Sequence, residues 1–134
     1  MINTQEITSK IAGICEQYPS IIAAYLFGSI VKQKKIPEDI DIALLLDNVH
    51  ESAFSLLDFI TEIEKNCRYR ADVVILNKAA ELVKYEVRRS GAIIFERDKL
   101  KRIEFEIYSR KTFEDFLYLH KRYVNTVLYK KQHG

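Results

Sequence analysis

The chain has 134 residues, 48% of them apolar and 30% charged, with a formal net charge of +2. That length suits one compact domain, and the composition excludes a disordered or collagen-like chain. No apolar run approaches the roughly 18–20 residues that span a bilayer, and the opening Met1-Ile-Asn-Thr-Gln-Glu lacks a signal-peptide pattern, so a cytoplasmic protein with no membrane contact is expected.

The near-neutral total hides a split. From Asp98 onward nine Lys/Arg face five Asp/Glu, giving +4, and the remainder carries −2. This reads as a basic tail on a mildly acidic core, too weak an imbalance to argue for direct nucleic-acid binding. Cys15 and Cys67 have no metal-ligand spacing and read as reduced, packed thiols.

In chain order, Thr4 to Tyr18 predicts a helix, with Ile7, Ile11 and Ile14 at helical spacing and Pro19 forbidding continuation. Ser20 to Phe27 is an apolar run ending in Gly28-Ser29, a buried strand followed by a turn. Ile30 to Ile36 is Lys-rich and closed by Pro37. Asp39 to Leu46 begins with strict alternation and ends wholly apolar, a strand exposed on one face at its start. Glu51 to Asn66 predicts a second helix, and Arg70 to Leu76 a third strand with a carboxylate near its start. Asn77 is a candidate cap for a helix from Ala79 to Arg89, which Ser90-Gly91 ends. Ala92 to Glu96 is a fourth short strand. Asp98 to Lys131 contains no Pro or Gly and predicts one long helix, or two with a break near Ser109 to Thr112. The expected fold is α+β, a small mixed sheet flanked by helices with a long C-terminal helical segment. Residues 1–97 form the core of one domain, and residues 98–134 pack on it and dock a partner.

The chemistry gathers in Gly28-Ser29 and, nine residues on, Asp39-Ile40-Asp41. Residues i and i+2 of a strand share a face, so Asp39 and Asp41 present two carboxylates side by side. Such like charges are tolerated when a cation or proton joins them, and hard oxygens suit Mg²⁺. Gly28 allows close backbone approach, Ser29 adds a hydroxyl, and amides at a strand-to-helix turn favour phosphate. Asp72, near the start of its strand, can meet the first two across the sheet. Together these are the parts of metal-assisted phosphoryl transfer. Taken singly, Gly-Ser is a common turn, Asp-x-Asp an exposed strand face, and Asp72 a neighbour of Arg68 or Arg70.

Leu26-Phe27-Gly28-Ser29 with Asp39-Ile40-Asp41-Ile42-Ala43-Leu44-Leu45 resembles the signature of the nucleotidyltransferase superfamily that includes DNA polymerase β. The small size resembles its minimal nucleotidyltransferase (MNT) members, and the basic, Tyr-rich C-terminal segment is similar to that of antitoxins encoded beside HEPN-domain RNase toxins. The resemblance implies transfer of AMP from ATP to a tyrosine of the toxin, which silences it. It implies that Gly28 and Ser29 bind the nucleotide's phosphates and that Asp39 and Asp41 bind Mg²⁺. Asp72 would complete the metal site or take the proton from the attacking hydroxyl. The chain departs from many members in the stretch after Gly-Ser, here Ile30-Val31-Lys32-Gln33-Lys34, and in Glu38 before the first Asp. Lys32, Lys34 and Lys35 either supply positive charge to the phosphates or form a solvated loop.

Two other readings stand beside this one: an antitoxin acting by stoichiometric contact, and nucleotidyl transfer to a small molecule. His50, His120 and His133 have no carboxylate near them in sequence and read as solvated or packed. Seven of the fifteen Phe and Tyr residues lie beyond Asp98, which suits either packing on the sheet or a protein interface.

Overall fold

A computed structural model describes residues 4–28, 39–48 and 50–133, with side chains through residue 129. Ser29, Lys32, Lys34, Lys35 and the Ile30 to Ile36 stretch lie outside the described residues.

Four strands make one sheet in the order β3-β2-β1-β4, where β1 is Ile21–Phe27, β2 Asp39–Leu46, β3 Arg70–Ile75 and β4 Ala92–Glu96. β1 runs antiparallel to both β2 and β4, and β2 runs parallel to β3. The sheet is therefore mixed, as its sequence predicts. Helix α1 (Thr4–Glu16) and helix α2 (Leu56–Cys67) cover one face, where Ile7, Ile11, Phe59 and Ile63 meet Leu26, Ile40, Ile42 and Leu44. Helix α3 (Glu81–Ser90) and the start of helix α4 (Lys99–His133) cover the other, where Val87 and Phe105 meet Ala23, Tyr25, Ala43 and Leu45. Both faces of β1 and β2 are thus covered, which explains why their apolar runs look continuous rather than alternating.

A register shift between Ile21 and Ala23 inserts one residue and reverses the alternation of β1. Ile21 and Leu26 consequently face α1 and α2, and Ile22 and Tyr25 face the opposite way. Arg97, just past β4, ties the layers together. Its guanidinium donates to the carbonyls of Cys15 (3.1 Å), Glu16 (3.1 Å) and Ile21 (2.9 Å). The bonds to Cys15 and Glu16 reach carbonyls at the end of α1, and the bond to Ile21 ties that end to β1. Cys15 and Cys67 are free and buried, as expected, and burial pushes the Cys15 thiol up to about 12.

Two expectations change. The helix predicted from Glu51 to Asn66 is a 3₁₀ turn (Glu51–Ala53) followed by α2, because Ser55 takes the N-cap and accepts from the amide of Asp58 at 3.3 Å. Asn77 does not cap α3. It sits in a 3₁₀ turn (Leu76–Lys78), and its amide bonds both the N–H and the carbonyl of Leu46 at 2.9 Å, extending the sheet with a side chain. Of the two arrangements expected for the C-terminal segment, the structure has the single unbroken helix. Within it Ser109 is buried and accepts from Arg88 of α3 at 2.8 Å.

The packing of Phe59 sets the first prediction. It is fully buried against Tyr18 and Phe54, so Phe59→Ala is expected to lose about 3–5 kcal/mol of stability in urea unfolding. Leu57→Ala, two residues earlier on α2 and 74% exposed, is expected to change it by less than about 0.5 kcal/mol.

Candidate functional site

The site forms where β1 ends and β2 and β3 begin. Asp39 and Asp41 alternate with Ile40 and Ile42, whose side chains are fully buried under α1 and α2. Burial of those isoleucines forces both carboxylates onto the opposite face, beyond the patch that α3 and α4 cover. In the parallel register Asp41 stands beside Asp72, and Asp39 beside Arg70. On its other side Asp41 stands beside Phe27. Asp41 and Asp72 are therefore neighbours on adjacent strands, as the alternation in the two segments predicts.

Gly28 follows Phe27 with φ of +78°, a left-handed conformation that side chains other than glycine's rarely adopt. A Cβ there would fall 2.1 Å from Asp41 Oδ2. The missing side chain leaves the backbone turn pressed directly against the Asp41 carboxylate. Glycine serves here for close approach as well as for its turn.

Burial raises the Asp41 carboxyl above its ordinary value, and the charges of Asp72 and Asp39 raise it further. Among the described residues no basic side chain forms an ion pair with any of the three. Nor do the described residues hold three or more His, Cys, Asp or Glu side chains gathered as a ready-made metal cluster. The donor set nevertheless fits a hard divalent cation. It consists of carboxylate oxygens alone, it is under mutual repulsion, and a cation would relieve that repulsion.

Behind the site lies a polar network that sequence reading missed. The Tyr25 hydroxyl donates to Glu106 at 3.2 Å, and Arg102 bridges Glu106 and Glu96. Burial, then the Glu106 charge, pushes the Tyr25 phenol upward, so it stays protonated as a donor. Tyr25, Leu76, Lys84, Val87, Arg88 and Phe105 line a small crevice between the sheet and α3 and α4. None of Asp39, Asp41 and Asp72 lines it. Nothing in the sequence signals this network, since Tyr25 and Glu106 are 81 residues apart.

Neither His50 nor His120 contributes to the site. The His50 carbonyl accepts from Ser20 at 2.9 Å, His120 stacks on Phe116, and the His133 side chain lies outside the described residues. No helix among the described residues is long and apolar enough to cross a membrane.

A family model described as "Polymerase beta, Nucleotidyltransferase" matches residues 9–100. The fold is similar to three solved antitoxin-type structures. A toxin–antitoxin structure with AMP-PNP has a TM-score of 0.73 at 19% identity, over 90% of this chain and 98% of that one. The toxin–antitoxin MntA-HepT has 0.69 at 18% identity, over 93% and 99%. A structure of a tri-AMPylated Shewanella oneidensis HEPN toxin in complex with MNT antitoxin has 0.69 at 19% identity, over 92% and 98%. Curated proteins give no match. At these identities the likeness bears on the fold.

Two predictions follow from the Asp41 environment. Because folding raises its pKa, ionisation of Asp41 costs stability, and that cost is absent below the ordinary carboxylate value of 3.8 and grows as pH rises through the folded value. Asp41→Asn is therefore expected to melt higher than wild type at pH 7, the gap closing in melts taken at progressively lower pH. Gly28→Ala, strained in φ and driven into Asp41, is expected to lose roughly 1–3 kcal/mol. Paired with Asp41→Asn, the loss is expected to persist through its backbone part.

Proposed function

The chain belongs to the polymerase β nucleotidyltransferase family, and we propose that it is an Mg²⁺-dependent adenylyltransferase of the MNT antitoxin type, acting in the cytoplasm. On this reading it transfers AMP from ATP to a tyrosine hydroxyl of a cognate HEPN-domain RNase toxin and so neutralises it. The observation that carries the reading is the lateral row in which Gly28 abuts Asp41 and Asp41 stands beside Asp72. The solved structures of similar fold include one with a nucleotide analogue and one with an AMPylated HEPN toxin, and both support it.

Gly28 and Ser29 receive the nucleotide's phosphates, since backbone amides at a strand-to-helix turn favour anions. Asp39, Asp41 and Asp72 hold Mg²⁺. When bound, the metal supplies charge neutralisation at the α-phosphate and on the leaving pyrophosphate. The acceptor oxygen attacks the α-phosphorus, the bond to the pyrophosphate oxygen breaks, and Asp72, the more exposed of the paired carboxylates, takes the acceptor's proton. Positioning accounts for most of the rate.

Helix α4 supports the partner assignment. Its 35 residues extend about 52 Å at 1.5 Å per residue, but only its first half is packed. Phe113 stacks on Tyr85, with ring centroids 4.4 Å apart, and Thr112 reaches Glu81 at the start of α3. Beyond Phe116, Leu117, Tyr118, Leu119, Tyr123, Val127, Leu128 and Tyr129 are all exposed. A half-helix carrying that much apolar and aromatic surface is suited to docking another protein. The same surface favours the second reading, neutralisation by stoichiometric contact alone.

Incubation with α-labelled ATP, Mg²⁺ and the HEPN-domain protein encoded alongside is expected to label the partner. The Asp39→Ala/Asp41→Ala protein is expected to leave no label above background. Equal labelling by that variant would sink the assignment of the carboxylates, and neutralisation of the toxin by it would establish the stoichiometric reading instead. A chain cut after residue 116 is expected to melt like wild type and to lose co-purification with the partner.

A further inference from the structure

The arrangement across the strands also indicates from which side an acceptor arrives. The cradle at Gly28 lies on the β1 side of Asp41, and Asp72 and Arg70 lie on its β3 side. Arg70 and Asp72 are i and i+2 on β3 and share the carboxylate face. Arg70 also stands in register with Asp39. Two strand spacings, about 10 Å, separate β1 from β3.

Arg70 is exposed, and among the described residues its guanidinium makes no hydrogen bond or ion pair with the protein. It is a cation beside three carboxylates that is committed to none of them. β3 is an outer strand of the sheet, so this side is open to an incoming chain. In phosphoryl transfer the attacking and leaving oxygens lie roughly in line on opposite sides of phosphorus. With the pyrophosphate held toward Gly28, the attacking hydroxyl comes from the β3 side, where Arg70 stands.

We propose that Arg70 is an acceptor-binding residue that receives the ring of the incoming tyrosine, and not a nucleotide-binding residue. A flat, permanently charged guanidinium suits the face of a phenol ring, and its charge offsets the negative field of Asp39, Asp41 and Asp72 that the electron-rich ring must enter. This deepens the transferase reading and rests on it.

The test measures AMP transfer to the HEPN-domain protein by the full chain, varying acceptor and ATP separately, alongside AMP-PNP affinity by calorimetry. Arg70→Gln is expected to raise the KM for the acceptor about tenfold, with the KM for ATP and the AMP-PNP affinity changed less than about twofold. Arg70→Lys, which keeps the charge and loses the planar face, is expected to fall between. Thermal melts of both variants are expected to match wild type, since among the described residues the Arg70 side chain makes no hydrogen bond or ion pair. Weakened AMP-PNP binding to match the acceptor effect, or an unchanged acceptor KM in Arg70→Gln, overturns the assignment of Arg70 alone. Wild-type protein that labels no acceptor overturns the transferase reading, and this inference falls with it.

Discussion

The structure depends on how firmly β2 is held between its neighbours. Its even-numbered side chains, Ile40, Ile42 and Leu44, are fully buried beneath α1 and α2, and a slip of one residue would turn those isoleucines toward solvent and the aspartates into the core. Each buried isoleucine contributes on the order of 1.5–3 kcal/mol, so the register is fixed by apolar burial. That fixed register then imposes an unfavourable arrangement on the odd-numbered side, where Asp41 faces Asp72 across the parallel ladder. Like charges in lateral register destabilise a sheet, and the Asp41 pKa is raised by burial first and then by this same repulsion. Core burial outweighs it, and the site exists because the stronger term sets the geometry.

The two faces of the sheet divide the work. The α1 and α2 face is almost wholly apolar and carries stability. The α3 and α4 face is apolar only where Ala23, Tyr25, Ala43 and Leu45 meet Val87 and Phe105, and it gives way to carboxylates at one end. Tyr25, Glu106, Arg102 and Glu96 join this face to α4 and β4 with paired charges and a hydrogen bond. Helix α4 repeats this division along its length: Ser109 and Phe113 are buried against the core, and its later turns bury almost nothing.

Much of this was legible in the residues. The alternation Asp39-Ile40-Asp41-Ile42 specified a strand and its faces together, because period two has only one reading when the apolar members are both isoleucine. The place of Asp72 followed from the same logic, and the register supplied the contact. The misread elements share a different cause. Glu51 to Asn66 carries helical periodicity throughout, and only the hydroxyl of Ser55 decides where the helix proper begins. Asn77 has a capping residue's chemistry, yet its partner is Leu46, 31 positions earlier, a choice that local sequence does not contain. Local patterns set element type, and long-range polar partners set where elements end.

Gly28 shows how the same economy reaches the chemistry. Its left-handed φ and the 2.1 Å approach that a Cβ would make to Asp41 mean that the turn and the carboxylate occupy adjoining space with nothing between. A larger residue would strain the turn and displace the one carboxylate that already carries the greatest electrostatic load. In the proposed reaction, phosphates held at that turn lie directly against Asp41, so the distance between anion cradle and metal ligands is set by a single missing methyl group. The opposite end of the row has no such closure, because β3 is the outer strand and Asp72 and Arg70 are exposed. On the proposed reading, a site tight toward the nucleotide and open toward the acceptor takes its missing wall from whatever brings the hydroxyl, and the exposed apolar surface of the later α4 turns is where such a partner would be held.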